Sequence, residues 1–252
     1  GLKASKHGDT RWISTFHSLN HQRSHKGSRE IEKRERAAAE KADKVISVSR
    51  DLSHQLKKKF GRKPVVIHNG FSSKESSGRD VKQELEISGP MIFFVGRHAE
   101  QKGIEHLVYG FSKLEREDAR LVIGGDGYLR EPLEKFVEIL GMEDRVIFTG
   151  FIPDQELGDY YSSADVFVSP SISEPFGLTV TEALEAGTPV VATSSGVEEL
   201  LPSGTITSIR PESGSIASGI KEALEKRRKP EFESRTWEEM SEEVMDLYRE
   251  LI

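Results

Sequence analysis

Short apolar runs alternate with amphipathic stretches along most of this chain. The runs have few polar interruptions, which is typical of strands covered on both faces of a sheet. Strands are predicted at 91–95, 121–124, 145–149, 165–169, 189–193 and 205–209. The helical period places helices near 103–116, 129–140, 154–163, 177–186 and 214–228. This strand–helix–strand order predicts a parallel sheet that binds ligands beyond the carboxyl ends of its strands.

The first 70 residues carry a shorter version of the same pattern. Strands are predicted at 11–19, 44–49 and 64–68, with helices at 28–41 and 51–60. A doubly wound domain normally has more strands than this. Residues 1–70 are therefore expected to form a partial amino-terminal α/β domain whose first half is not in this sequence.

Two further segments complete the predicted organisation. Residues 71–88 are rich in Ser, Gly, Lys and Glu without sustained periodicity, which is typical of a linker. A Rossmann-like domain is expected over 89–230. Residues 236–252 are expected to form a C-terminal helix that packs back towards the first domain through one apolar stripe. The stripe consists of Met240, Val244, Leu247 and Leu251.

Composition excludes several kinds of protein. No apolar run among the 252 residues approaches the ~20 residues of a membrane span. The sequence contains no cysteine, which excludes disulfides, a thiolate nucleophile and a cysteine-ligated metal. We therefore expect a cytoplasmic protein that is peripheral to a membrane at most.

Charge is divided unevenly along the chain. Residues 1–70 hold 17 Lys/Arg against 7 Asp/Glu; the totals of 36 and 42 leave 19 against 35 in residues 71–252. One interpretation is a basic face for an anionic acceptor or a membrane surface, with nucleic acid the less favoured partner. The other is a solvated helix, because residues 29–36 mix both charge signs at i, i+4 spacing. The sequence favours neither.

The stretch 171–185 has the features of an anion site. Pro175 suits a helix start because it needs no backbone donor, and Gly177 permits close approach of a ligand. The predicted first turn would present backbone N–H groups to a phosphate. These groups belong to Phe176, Gly177, Leu178 and Thr179. Glu174 and Glu182 flank the turn, so the spacing fits a nucleotide sugar with one carboxylate at each end.

A second loop carries the cations that a diphosphate needs. It follows the predicted strand 91–95: Gly96 permits close backbone approach, Arg97 offers a fork of donors, and Lys102 adds a compact charge. Taken alone, these residues are typical of an ordinary surface loop. Because both loops follow strand ends of one sheet, we expect them to converge with residue 176 on one crevice.

Several motifs occur in the order of a known family. They include Phe94-Val-Gly-Arg97, Lys102-Gly103, the Glu174 and Glu182 pair, and the continuation 182–192. Further matching segments are 42–49, 67–70 and 150–153. Together these motifs resemble the family 4 retaining glycosyltransferases of the GT-B fold, over nearly the whole chain.

The resemblance implies a role for each matching residue. Arg97 and Lys102 would hold the diphosphate of a nucleoside diphosphate sugar and stabilise the leaving group. Glu174 would contact hydroxyls of the donor sugar, and Glu182 would contact the ribose. The backbone of Leu178 and Thr179 would meet the phosphates, and the backbone at Ile152 would meet the base. No cofactor and no metal are implied, and the sequence has no Asp-x-Asp motif.

Histidines and glycines near these motifs allow two interpretations each. His17 matches a family position that faces the donor sugar; the alternative is a histidine that packs at a sheet edge. His21 and His25 follow at four-residue steps, as in a zinc site, but the context is not helix-forming and we expect no metal. The turn 124–127 is expected to be a tight loop lining the cleft rather than a phosphate cradle. Glu185 and Glu199 are expected to be solvated.

The expected function is transfer of a sugar from a nucleoside diphosphate sugar to an unidentified acceptor. The expected missing half-domain puts independent activity in question. After Gly196 the sequence also departs from the family's usual Pro-Glu-Ile-Val, which concerns only loop details. One alternative is a non-catalytic nucleotide-sugar-binding subunit completed by a partner chain or oligomer. Another is an epimerase of the same fold, for which no general-base carboxylates could be assigned.

Overall fold

The computed structural model describes residues 11–19, 29–226, 230 and 234–251. Within them, a first sheet has three parallel strands in the order β1–β2–β3. These strands are Ile13–Phe16 (β1), Lys44–Ser47 (β2) and Val65–Val66 (β3). Two helices accompany this sheet, Arg29–Lys41 (α1) and Arg50–Phe60 (α2). The Ser49 side chain caps α2 by accepting from the N–H of Leu52, and Gly61 ends it in the left-handed conformation.

The second sheet has six parallel strands in the order β6–β5–β4–β7–β8–β9. They are Met91–Val95 (β4), Arg120–Gly124 (β5), Val146–Gly150 (β6), Val166–Ser169 (β7), Val190–Thr193 (β8) and Thr207–Ile209 (β9). Strand order reverses between β4 and β7, which are neighbours in the sheet. A crevice for a ligand is expected at this switch point, beyond the carboxyl ends of the two strands.

Helices cover both faces of the second sheet. They are Val81–Glu84 (α3), Ile104–Phe111 (α4), Arg130–Ile139 (α5), Leu157–Ser163 (α6), Leu178–Glu185 (α7) and Ser213–Lys226 (α8). One core packs α4, α5 and α8 against the sheet, with Phe94, Phe111 and Ile216 buried. The opposite core packs α6 and α7, with Phe93 and Tyr161 buried.

The last helix, Trp237–Arg249 (α9), lies against the first sheet. Leu247 is buried with Ile46 and Ile67, and Met240 and Val244 pack on the same cluster. A capping box fixes the start of the helix, since the Thr236 and Glu239 side chains each accept from the other's backbone N–H. No helix among the described residues is long and apolar enough to cross a membrane.

The segment 71–88 is held on the second sheet's helices. Asp159 of α6 accepts hydrogen bonds from the Ser76 hydroxyl, from the backbone and hydroxyl of Ser77, and from the backbone of Gly78. A side chain at Gly158 would overlap the carbonyl oxygen of Glu75, so the segment lies directly on α6. The domain boundaries expected from the sequence stay predictions.

Candidate active site

The loops that follow β4 and β7 meet at the switch point. The N–H of Ile172 donates to the carbonyl of Gln101 at 2.8 Å, which joins the two loops through their backbones. Gly103 adopts φ 63, and a side chain there would overlap the carbonyl oxygen of Pro170. The sequence predicted this convergence, and these contacts leave little freedom between the two loops.

The glycine turn 124–127 supports the loop after β4. Its Gly125 has φ 99, and a side chain there would overlap the carbonyl oxygen of Gly96. The N–H of Gly96 donates to Gly124 at 3.2 Å, and the N–H of His98 donates to Asp126 at 2.8 Å. The turn therefore holds the loop in place by backbone contact. Arg97, on the same loop, is exposed.

Lys102 and Glu174 form an ion pair across the two loops. Lys102 Nζ donates to Glu174 Oε2 at 2.6 Å, and the Ser171 hydroxyl lies 3.3 Å from the same oxygen. The side chains of Lys102 and Glu174 are 21% and 14% exposed. A cation and a carboxylate are thus held together at the carboxyl ends of β4 and β7.

The start of the following helix differs from the prediction. Helix α7 begins at Leu178, close to the predicted 177, so Pro175 and Phe176 of the predicted first turn lie outside it. Glu174, just before them, forms a parallel bridge with Ser195. Gly177 then turns the chain with φ 99 and precedes the helix.

Of the four N–H groups predicted for the first turn, two lie in the helix. Leu178 and Thr179 occupy its first turn, where backbone N–H groups lack an intrahelical acceptor. Phe176 lies outside the helix, and its ring is buried in the cluster of the first sheet. The ring therefore packs within that cluster, while an anion contact through the Phe176 backbone N–H stays a prediction.

Glu182 lies further along α7 and is held by two elements. The Tyr161 hydroxyl of α6 donates to Oε2 at 2.7 Å, and Lys74 Nζ lies 3.8 Å from Oε1. Burial raises the pKa of Glu182 above its ordinary value of 4.5, while the Tyr161 hydrogen bond and the Lys74 charge oppose that rise. The Glu182 side chain is 18% exposed.

Other predicted residues lie elsewhere in the second sheet or follow the first. Ile152 is buried, and its side chain packs over Gly124. His17 directly follows β1 and is exposed. His21 and His25 lie outside the described residues. Where the structure describes the chain, no group of three or more His, Asp or Glu side chains could hold a metal ion.

Glu199 was expected to be solvated, and the structure shows that this expectation is wrong. Its side chain is 18% exposed and accepts from the Arg50 backbone N–H at 2.8 and 3.1 Å. His68 Nε2 lies 2.8 Å from Glu199 Oε2. The carboxylate thus complements the amino end of α2 and links the two sheets. Because its partners are 149 and 131 residues away, no local pattern could reveal it.

A cavity of about 540 Å³ opens beside Glu174. It lies between α2, which contributes Asp51 and Gln55, and the loops around 172–175 and 194–199. The cavity therefore adjoins the ion pair from the side of the first sheet.

The charges of α1 bear on the two interpretations of the basic segment. Arg34 and Arg36 pair with Glu30 and Glu40 of the same helix. These pairs have the i, i+4 spacing of a solvated helix, which favours that interpretation for α1.

Comparison with known families shows to which family the chain belongs. The profile described as "Glycosyl transferases group 1" matches residues 77–239, and that of "Glycosyltransferase Family 4" matches residues 1–75. The chain belongs to the group 1 glycosyl transferases. The predicted α/β, GT-B-like fold is thereby confirmed, as is the resemblance to family 4.

Two curated relatives illustrate the match. An uncharacterised glycosyltransferase of Methanocaldococcus jannaschii is 34% identical over 231 residues, which is 81% of this chain and 59% of the relative. The mannosylfructose-phosphate synthase of Agrobacterium fabrum is 38% identical over 136 residues, which is 50% of this chain and 30% of that enzyme. The chain thus spans less than two thirds of either relative.

Solved glycosyltransferase structures share the fold. The sucrose-phosphate synthase of Thermosynechococcus elongatus superposes with a TM-score of 0.83 and 27% identity, covering 99% of this chain and 70% of that one. HepE of Anabaena, solved with UDP and glucose, gives a TM-score of 0.78 at 21% identity, covering 95% and 72%.

Proposed function

We propose that this group 1 glycosyl transferase chain binds a nucleoside diphosphate sugar and takes part in retaining transfer of the sugar. The observation that carries the proposal is the Lys102–Glu174 pair at the switch point, beside the first turn of α7. The bound nucleotide in the Anabaena neighbour supports the same class of donor. Retention is proposed from the resemblance to family 4.

The main chemical requirement of such a reaction is that negative charge on the leaving group be stabilised. As the bond between the sugar and the diphosphate breaks, charge develops on the leaving diphosphate, and donors fixed in advance stabilise it. Lys102 and Arg97 would supply positive charge. The N–H groups of Leu178 and Thr179 would supply backbone donors at the positive end of a helix dipole. A leaving group stabilised in this way does not require a metal.

Glu174 has the properties of a sugar-orienting group. Its oxygen Oε2 accepts a hydrogen bond from Lys102 Nζ, and the carboxylate has further acceptor sites for hydroxyl groups. We assign it to hydroxyls of the donor sugar. The neighbouring cavity gives an acceptor a way to approach from the side of the first sheet.

A thermal-shift panel of UDP, GDP, ADP and their sugars tests this proposal. A ligand at 100 times its Kd stabilises the folded state by about 2.7 kcal/mol, so we expect a Tm rise of about 5–10 °C for a chain of this size. The double variant Arg97→Ala/Lys102→Ala should lose the rise. Equal rises in this variant and the wild type would contradict the proposal.

The matched control is a double variant that removes two cations from other positions around the second sheet. Lys135 and Arg210 are 64% and 77% exposed and pair with Glu131 and Glu212. The variant Lys135→Ala/Arg210→Ala loses the same net charge and should keep the full Tm rise. Loss of the rise in both double variants would assign the effect to net charge rather than to the site.

A further inference from the structure

A tyrosine hydroxyl and a lysine ammonium converge on Glu182 from different elements. Tyr161 donates from α6 to Oε2 at 2.7 Å, while Lys74 approaches Oε1 to 3.8 Å from the irregular segment before α3. Each carboxylate oxygen therefore faces a different partner. No pattern in the sequence had connected either residue with Glu182.

Packing fixes the position of the Tyr161 hydroxyl. The side chain is fully buried, with Phe93 and Phe167 in edge contact at centroid distances of 5.4 and 5.3 Å. The Thr188 hydroxyl donates to the carbonyl of Tyr161 at 2.6 Å and holds the end of α6. Burial, together with the nearby Glu182, raises the pKa of Tyr161 well above 10. Tyr161 is thus a fixed donor that stays protonated at neutral pH.

Lys74 precedes a segment that is hydrogen-bonded to α6. The four hydrogen bonds from Ser76, Ser77 and Gly78 to Asp159 anchor the residues that follow it on α6. Its ammonium donates to Asp154 at 2.5 Å, so its charge is shared between two carboxylates. Glu182 therefore receives a directional hydrogen bond from Tyr161 and a longer-range charge from Lys74.

We propose that Tyr161 and Lys74 are positioning residues that hold the Glu182 carboxyl oriented for the ribose hydroxyls of a nucleoside diphosphate, and so set selectivity for ribose. This inference rests on the proposed function and on the ribose contact that the resemblance to family 4 implies for Glu182. An ionised carboxylate has about four acceptor sites. Tyr161 occupies one of them on Oε2, which fixes the plane of the group and leaves acceptor sites for two neighbouring hydroxyls.

The Tyr161→Phe variant tests the orienting hydrogen bond. The measurement is the ratio of the Kd values for a 2′,3′-dideoxynucleoside diphosphate and its parent, using the base that binds best. Hydrogen bonds to a charged group predict a wild-type ratio of about 10–100. We expect Tyr161→Phe to lower this ratio by about tenfold, mainly by weakening the parent. The dideoxy compound, which lacks both hydroxyls, reports any general loss of the site.

Tyr160→Phe is the matched control. Tyr160 stacks on the same Phe93 at 5.5 Å, and its hydroxyl is not the one that donates to Glu182. This variant should keep the wild-type ratio. A ratio that Tyr161→Phe leaves unchanged would overturn the inference while the proposed function stands. A wild-type chain that binds no nucleoside diphosphate would overturn both.

Lys74→Met tests the second partner without altering the buried core. Its side chain is 21% exposed, so the variant keeps the apolar stem and removes only the charge. We expect a smaller fall of the ratio, about threefold, because the charge lies beyond hydrogen-bond distance. Lys82→Met is its control, since Lys82 pairs with Asp165 elsewhere on the same part of the chain. Equal ratios in the two lysine variants would remove Lys74 from the inference.

Discussion

Glu174 and Glu182 are buried to a similar extent, yet their partners differ. The side chains are 14% and 18% exposed. Glu174 receives a lysine at 2.6 Å, within hydrogen-bond distance. Glu182 receives a neutral hydroxyl at 2.7 Å, and its lysine is at 3.8 Å and shared with Asp154. Two carboxylates of similar burial therefore differ in how close the nearest positive charge lies to them.

Glu174 and Glu182 also lie on different kinds of structural element. Glu174 and Lys102 lie on two loops that meet beyond the ends of β4 and β7, where a reacting group would be placed. Glu182 projects from α7 and is held by a buried tyrosine of α6. We therefore expect changes at Glu174 to act mainly on kcat, changes at Lys102 to act on kcat as well as on binding of the diphosphate, and changes at Glu182 to act mainly on binding of the nucleotide.

The largest expected effect follows removal of the cation beside Glu174. Lys102→Met leaves the Glu174 carboxylate largely buried without its counter-charge. Under the proposed function it also removes a positive group from the site of the leaving diphosphate. Loss of one such stabilising group costs about 10²–10³ in kcat. The measurement is release of nucleoside diphosphate from the donor that the panel identifies, with Lys135→Met as the control. A kcat within a few-fold of the wild type would show that the pair is structural.

Sequence patterns predicted the parallel sheet and the meeting of its two loops. The apolar strands are short and continuous, and in a parallel sheet their carboxyl ends share one edge, so the loops that carry Lys102 and Glu174 were expected to converge. The helix predicted near 177–186 is observed at Leu178–Glu185, whereas the expected helical turn at Pro175 and Phe176 is not. Pro175 is compatible with a helix start, but the bridge between Glu174 and Ser195 just before it is a long-range contact that a local pattern does not predict.

Partners from distant parts of the chain could not be predicted. Glu199 is an ordinary acidic residue in the sequence, and only folding brings it to Arg50 and His68. The same holds for Tyr161 and Lys74 at Glu182, since both belong to elements with no motif of their own. Local patterns therefore predicted which loops meet, whereas side-chain partners depend on how the helices pack.

Nucleotide binding should depend on pH through Glu182. Burial raises its pKa above the ordinary 4.5, and the groups that face it are Tyr161, Lys74 and Asp154. A protonated carboxyl loses its charge and an acceptor site, so affinity for the ribose form should fall as pH drops through this raised pKa, by up to about tenfold per pH unit. Calorimetric titration from pH 7.5 to 4.5 measures this fall.

The dideoxy compound separates Glu182 from the phosphate site in that titration. Its affinity should change much less over the same range, because it offers no hydroxyls to the carboxylate. Parallel curves for the two compounds would place the titrating group elsewhere in the site.

The smallest expected effect is on stability, and its sign differs between the two carboxylates. A carboxyl with a raised pKa stabilises the fold below its ordinary pKa, and this contribution is lost as pH rises through the raised value. Ionised Glu182 therefore costs stability at pH 7.5. In the ligand-free protein, Glu182→Gln keeps an oxygen for Tyr161 and should raise Tm by up to about 3 °C, since 1 kcal/mol corresponds to about 2–4 °C.

Glu174→Gln should instead lower Tm at pH 7.5, because it leaves the Lys102 ammonium without its hydrogen-bonded counter-charge. Thermal unfolding of the wild type and both variants at pH 7.5 and pH 5 measures the contrast. The difference in Tm between Glu182→Gln and the wild type should be smaller at pH 5, because more of the wild-type carboxyl is protonated there. Changes of the same sign in both variants would mean that the position of the lysine does not distinguish the two sites.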